Sequence, residues 1–188
     1  MERGDSLRTR ALIRVISMMS GMRLPDAARV AFFHKDFAGT SIGAWTQAVM
    51  RGPSEWTVGE RELMAAMVAR WNSCTFCIGA HGAVAARDLD RPAVDACLAG
   101  YRAAPISEQL RATLAFLEKM TLRPAELRAS DALEAMTAGT SRGQLGDAAA
   151  IGALFNIVTR YADALGFTIP SEAEFDRAAG MLLKRGYA

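Results

Sequence analysis

Apolar residues recur along almost the whole chain at helical spacing, and the alternating β-branched runs of strands are missing. Leu7 to Ser20 reads as a first apolar helix, and Pro25 introduces a second helical segment from Asp26 to Phe37, which Gly39 and Thr40 end. Ile42, Trp45, Thr46 and Val49 follow at i, i+3, i+4 and i+7, a short amphipathic helix stopped by Gly52 and Pro53. Thr57 and Glu60 have capping-box spacing, which predicts a helix over Val58 to Trp71. The next runs from Cys74 to Ala86, and another opens at Asp90-Arg91-Pro92 and closes at Gly100. Ser107 caps a helix with Leu110, Leu114, Leu117 and Met120 on one stripe, and Pro124 breaks it. A short helix ends near Gly139. Ser141 and Gln144 then introduce the longest one, to about Leu165, with Ile151, Leu154, Phe155 and Val158 inward, and Ser171 with Glu174 starts the last. The expectation is an all-α bundle in which residues 1–188 form one domain.

Composition narrows the function. The chain has 188 residues, 51% hydrophobic, with 22 basic against 20 acidic side chains. A net charge of +2 supplies no concentrated basic surface, so nucleic acid is not an expected partner. Ala11 to Met22 is interrupted by Arg14 and lacks a small-residue cleavage site, which argues against a secretory signal, and no apolar run reaches membrane-spanning length. A cytoplasmic location is expected, without membrane attachment. Three cysteines do not make an extracellular disulfide framework, and a close pair in a cytosolic chain points to catalysis or metal binding.

That pair lies in Trp71-Asn-Ser-Cys74-Thr-Phe-Cys77-Ile-Gly-Ala-His81. Cys74, Cys77 and His81 fall at i, i+3 and i+7, one face of one helix. Thiols at a helix start are acidified by its dipole, and an imidazole one turn further can carry the proton, a combination suited to attack on a peroxide or disulfide. Glu62 stands on the preceding helix, its face shared with Gly59, Ala65, Ala66 and Ala69. Small neighbours allow close packing, and a carboxylate buried there needs a partner, for which His81 is available. Glu60 competes, but its N3 position already gives it a capping role.

Glu62, Cys74-Thr-Phe-Cys77 and His81 together resemble the active-site signature of the alkylhydroperoxidase D-like branch of the carboxymuconolactone decarboxylase superfamily. The run from Phe155 and Asn156 through Arg160 and Asp163 to Gly166 is similar to the C-terminal helix of its peroxidase-related members, and the resemblance covers roughly residues 28–170. It implies an all-α bundle assembled as a homo-trimer or homo-hexamer, and cysteine-dependent reduction of a hydroperoxide at the expense of a thiol reductant. Cys77 would meet the peroxide, Cys74 would be its disulfide partner, and Glu62 with His81 would relay protons. The founding pattern has a histidine between the cysteines, where Phe76 stands here; other members carry an aromatic residue at that place. The lactone-decarboxylating branch lacks the cysteine pair.

Other readings stand beside this one. Two thiolates, an imidazole and a carboxylate also make a four-ligand zinc set from Cys74, Cys77, His81 and Glu62. A non-catalytic oligomer of the superfamily is a further alternative, and the cysteines could be buried apolar residues. A c-type haem is excluded because Ile78 follows Cys77. Without a glycine-rich phosphate loop, no nucleotide cofactor is expected, and none of another kind is called for. Cys97, the three tryptophans Trp45, Trp56 and Trp71, and the methionines read as core. His34 reads as a packing residue. Asn156 and Arg160, one turn apart on an apolar helix, suggest an interhelical hydrogen bond, with subunit contact as the alternative.

Overall fold

The structure is a computed structural model that describes residues 6–21, 23–33 and 35–187. His34 lies outside them. Ten α-helices follow one another, and no strand occurs among the described residues. They are α1 (Leu7–Ser20), α2 (Asp26–Phe33), α3 (Gly43–Arg51), α4 (Val58–Trp71), α5 (Thr75–Ala85), α6 (Arg91–Gly100), α7 (Glu108–Leu122), α8 (Ala129–Thr137), α9 (Arg142–Ala164) and α10 (Glu172–Arg185).

Helix α4 is the axis of the bundle, with α3, α5, α6, α7 and α9 packed around it. From Gly59 to Ala69 every residue except Glu60 is buried, so the helix carries no polar face. Two charged side chains are enclosed with it. Arg61 donates from Nη1 to the Gly52 carbonyl at 2.9 Å, closing the end of α3 where unpaired carbonyls collect negative charge. Glu62 is taken up below.

The larger core gathers Met50, Trp56, Leu63, Leu114, Ile151 and Phe155 between α3, α4, α7 and α9. A smaller one holds Cys74, Phe76 and Cys77 with Val84, Ala162 and Phe175, where α5 meets α9 and α10. The α5–α10 contact depends on Gly79, since a Cβ there would lie 2.4 Å from the Phe175 ring.

Two expectations need correction. The segment expected to be helical from Asp26 to Phe37 leaves the α-form after Phe33, and a π-helical turn runs over Lys35–Ile42. Gly39 in that turn folds back so far that a Cβ would sit 2.4 Å from the Ala31 carbonyl oxygen, a path a continuous α-helix does not take. Trp45, read as core, is 38% exposed, because α3 turns Thr46 and Met50 inward instead. Trp56 and Cys97 are buried as expected.

Candidate active site

The joint between α4 and α5 sets the cysteines. Ser73 has φ +62°, the left-handed conformation that closes a helix; its amide bonds the Arg70 carbonyl and the Cys74 amide reaches the Ala69 carbonyl at 3.0 Å. Cys74 is therefore both the last residue of one helix-ending motif and the N-cap of α5. Asn72 ties this corner to α9 by donating from Nδ2 to Asn156 Oδ1 and Thr159 Oγ1, each at 3.0 Å. The hydrogen bond expected of Asn156 is thus interhelical, while Arg160 turns back on Asn156 within its own helix.

Glu62 and His81 meet across the α4–α5 pair, His81 Nδ1 lying 2.7 Å from Glu62 Oε2. Glu62 is wholly buried and His81 nearly so, with its ring edge-on to Phe155 at 4.5 Å. Against an ionised carboxylate Nδ1 must carry the proton, which leaves Nε2 as the basic nitrogen.

Two partners of Glu62 were not foreseen from the sequence. Arg51, in the last turn of α3, places Nη1 2.7 Å from Glu62 Oε1. Tyr187, beyond α10, donates its hydroxyl to Oε1 at 2.8 Å and to Oε2 at 3.1 Å. Gly186 has φ +72° and turns the chain inward, and the Tyr187 amide is held by Gln47 Oε1 at 2.7 Å. The Arg51 guanidinium stands 4.9 Å over the Tyr187 ring, and its Nε and Nη2 are buried without a protein partner among the described residues. Burial pushes the Glu62 carboxyl up, but the hydrogen bond and charge of His81, the Arg51 charge and the Tyr187 hydroxyl outweigh it and hold the group below its ordinary value. The Tyr187 hydroxyl is driven well above its usual range, by burial first and then by the Glu62 charge.

Cys74 and Cys77 are both buried free thiols. The Cys77 side chain lowers Cys74 most, burial and Asp163 oppose it, and with the Cys77 amide the thiol is held below its ordinary value. Cys77 is pushed far up by Cys74, by burial and by Asp163. No hydrogen bond joins His81 to Cys77 among the described residues, so a proton passing between them needs a bridging water. The four residues of the zinc alternative do not come together as a ligand set. Among the described residues no group of three metal-binding side chains forms, and Glu62 is committed to Arg51, His81 and Tyr187.

A cavity of about 200 Å³ lies beside the cysteine segment, lined by Ser73, Thr75 and Phe76 and by Ala162, Asp163 and Phe167 among others, with neither cysteine in its lining. Phe76 meets Phe167 edge-on at 5.1 Å, an aromatic corner at the floor. A larger open groove, lined by Glu108, Leu133 and Thr137, lies away from all of these residues.

No family model matches the chain, and no curated protein matches it. Solved structures do. An uncharacterised peroxidase-related protein from Silicibacter sp. TM1040 is 26% identical, with 90% of this chain and 87% of that one covered and a TM-score of 0.76. An alkylhydroperoxidase AhpD core protein from Ralstonia eutropha JMP134, also peroxidase-related and uncharacterised, is 25% identical over the same shares, at 0.74. The debrominase Bmp8 is alike in fold, at 20% identity over 95% of each chain and a TM-score of 0.72.

Proposed function

From a chain that belongs to the alkylhydroperoxidase D-like superfamily, we propose a cysteine-dependent oxidoreductase that reduces hydroperoxides through the Cys74/Cys77 dithiol, with Glu62 and His81 as its proton relay. The observation that carries this reading is the buried Glu62–His81 pair at 2.7 Å, one helical turn from Cys77. A buried carboxylate behind an imidazole is how a base beside a nucleophile is oriented.

In the first step His81 Nε2 takes the Cys77 proton through a water, and the Cys77 sulfur attacks the terminal peroxide oxygen. The O–O bond breaks, the alkoxide takes the proton from His81 and leaves as alcohol, and Cys77 becomes a sulfenic acid. Attack falls to Cys77 because the leaving oxygen needs an acid, and His81 stands on that side. In the second step the Cys74 sulfur attacks the Cys77 sulfur. The S–O bond breaks, water leaves with the Cys74 proton, and a disulfide remains. Two electrons have passed from the dithiol to the peroxide, and an external dithiol restores the pair by exchange.

The assembly implied by the resemblance, a trimer or hexamer, draws support from α1, where Leu7, Met18 and Met19 are 82%, 71% and 84% exposed. No helix among the described residues is long and apolar enough to cross a membrane.

The test supplies cumene hydroperoxide and dithiothreitol and measures the alcohol formed. Cys77→Ser should abolish turnover, and Cys74→Ser should stop at a trappable sulfenic acid on Cys77. Glu62→Gln and His81→Asn should each slow the reaction about 10–1000-fold, the range of general acid–base assistance. Full turnover by Cys77→Ser would sink the reading.

A further inference from the structure

We infer that Asp163 is a charge filter in the cavity beside the cysteine segment, so that the site admits compact neutral apolar molecules and turns away anionic ones. The inference rests on the reading above and adds the class of substrate to it.

The cavity has two sorts of wall. Its apolar side is Phe76, Ala162, Phe167 and Ile169, with the edge-on Phe76–Phe167 contact at 5.1 Å. Its polar side is Ser73, Thr75 and Asp163. Among the described residues of the lining Asp163 is the one ionisable side chain, and none of them is a cation. The nearest basic residue along α9, Arg160, turns its guanidinium onto Asn156, one turn back. The cavity beside the cysteine segment is thus lined by one carboxylate with no cation facing it among the described residues. The Asp163 charge also opposes a thiolate on either cysteine.

A second charge arriving as a carboxylate or phosphate on the substrate would meet Asp163 with no counter-ion among the described residues of the lining. A neutral aryl or branched alkyl group would meet none of this and would cover the two rings. The volume of about 200 Å³ suits a molecule of some ten to fifteen heavy atoms. The favoured class is thus the compact, neutral, organic hydroperoxide, with the peroxide oxygens directed at the cysteine segment.

Two alkylating agents of nearly equal size, neutral iodoacetamide and anionic iodoacetate, read the filter without calling on peroxide chemistry. Their rates are measured on the reduced full-length protein by mass spectrometry of Cys74 and Cys77, each as a ratio to a free small thiol. The parent should favour iodoacetamide over that reference by about 3- to 30-fold, the effect of one partly solvated charge a few ångströms away. Asp163→Asn should bring the ratio close to the reference, and so should high salt on the unaltered protein. Asp163→Glu, which keeps the charge, should retain most of it. In parallel, Asp163→Asn should speed turnover of a carboxylate-bearing hydroperoxide while changing cumene hydroperoxide by less. An iodoacetamide preference equal in the parent and in Asp163→Asn would overturn the filter whatever the peroxides do. A charge-dependent ratio without turnover of any hydroperoxide would uphold the filter and overturn the proposed reaction alone.

Discussion

Tyr187→Phe removes one oxygen and keeps the ring over which Arg51 stands. In the parent that oxygen donates to both carboxylate oxygens of the wholly buried Glu62, at 2.8 and 3.1 Å. A hydrogen bond to a charged group is worth about 1.5–3 kcal/mol, and part of this returns because Phe carries no hydroxyl to dehydrate. Arg51 and His81 still hold Glu62 in the variant, so the net loss at neutral pH should be about 1–2 kcal/mol, or about 2–8 °C in Tm for a chain of this size. The pH dependence is the sharper signature. Glu62 is lowered from 4.5 in the fold, so its contribution is complete above that value and lost as pH falls through the folded one. Tyr187 is raised from 10.0, so the stability tied to its neutral hydroxyl is complete below pH 10 and drains away as pH rises, while the unfolded chain ionises and the folded chain resists. The difference in unfolding free energy between parent and variant should form a plateau over about pH 5–9 and shrink on both sides, by up to about 1.4 kcal/mol per pH unit on the alkaline limb. Urea unfolding across a pH series measures it, and the other titrating groups cancel in the difference. A gap that stays level from pH 7 to pH 11, or no gap at pH 7, would refute the view that the tyrosine hydroxyl serves the carboxylate.

Gly79→Ala should destabilise the protein by about 1–3 kcal/mol in the same urea assay, as overpacking does, because the new methyl would lie 2.4 Å from the Phe175 ring; Phe175→Leu in the same chain should recover part of the loss, and additive effects would contradict the packing argument. Mild peroxide treatment should remove two alkylatable thiols and leave Cys97, which packs in the larger core apart from the pair, untouched, which peptide mass spectrometry resolves. Light scattering should return a trimer or a multiple of it at micromolar concentration, and a monomer would count against the exposed apolar residues of α1 as a subunit interface.

The sequence marks helix boundaries where the signal is local. Thr57 with Glu60 and Ser141 with Gln144 are reciprocal caps, and the helices begin where those pairs place them. Glu62 was legible for a related reason: a carboxylate amid Gly59, Ala65, Ala66 and Ala69 has nowhere to go but into a helix contact, and His81 was the nearest partner able to receive it. Arg51 and Tyr187 gave no such sign. Arg51 looks like an ordinary cation near a helix end, and Tyr187 lies 125 residues from the carboxylate it serves, so only the packed bundle brings them together. The π-turn after α2 was illegible because Gly39 and Thr40 signal only that the α-helix stops and not the form that follows, which goes with the close passage of Gly39 over Ala31. Asp163 was visible only as part of a run, since its meaning lies in what the neighbouring wall lacks.

The hydrogen bonds that complete the Glu62 cluster also order its assembly in time. Glu62 and His81 are 19 residues apart within one helix hairpin, and the joint at Ser73 that aligns them is built from local backbone bonds. Tyr187 closes a loop of 125 residues onto the same carboxylate. Contacts of short separation form early and long closures wait on the rest of the chain. A folding intermediate with α4 and α5 docked would therefore already hold the imidazole against its carboxylate while the tyrosine still swings free. In that interval the thiols are open to oxidants from directions the finished bundle seals off, so refolding of this chain should be most sensitive to dissolved peroxide midway, before α10 has settled.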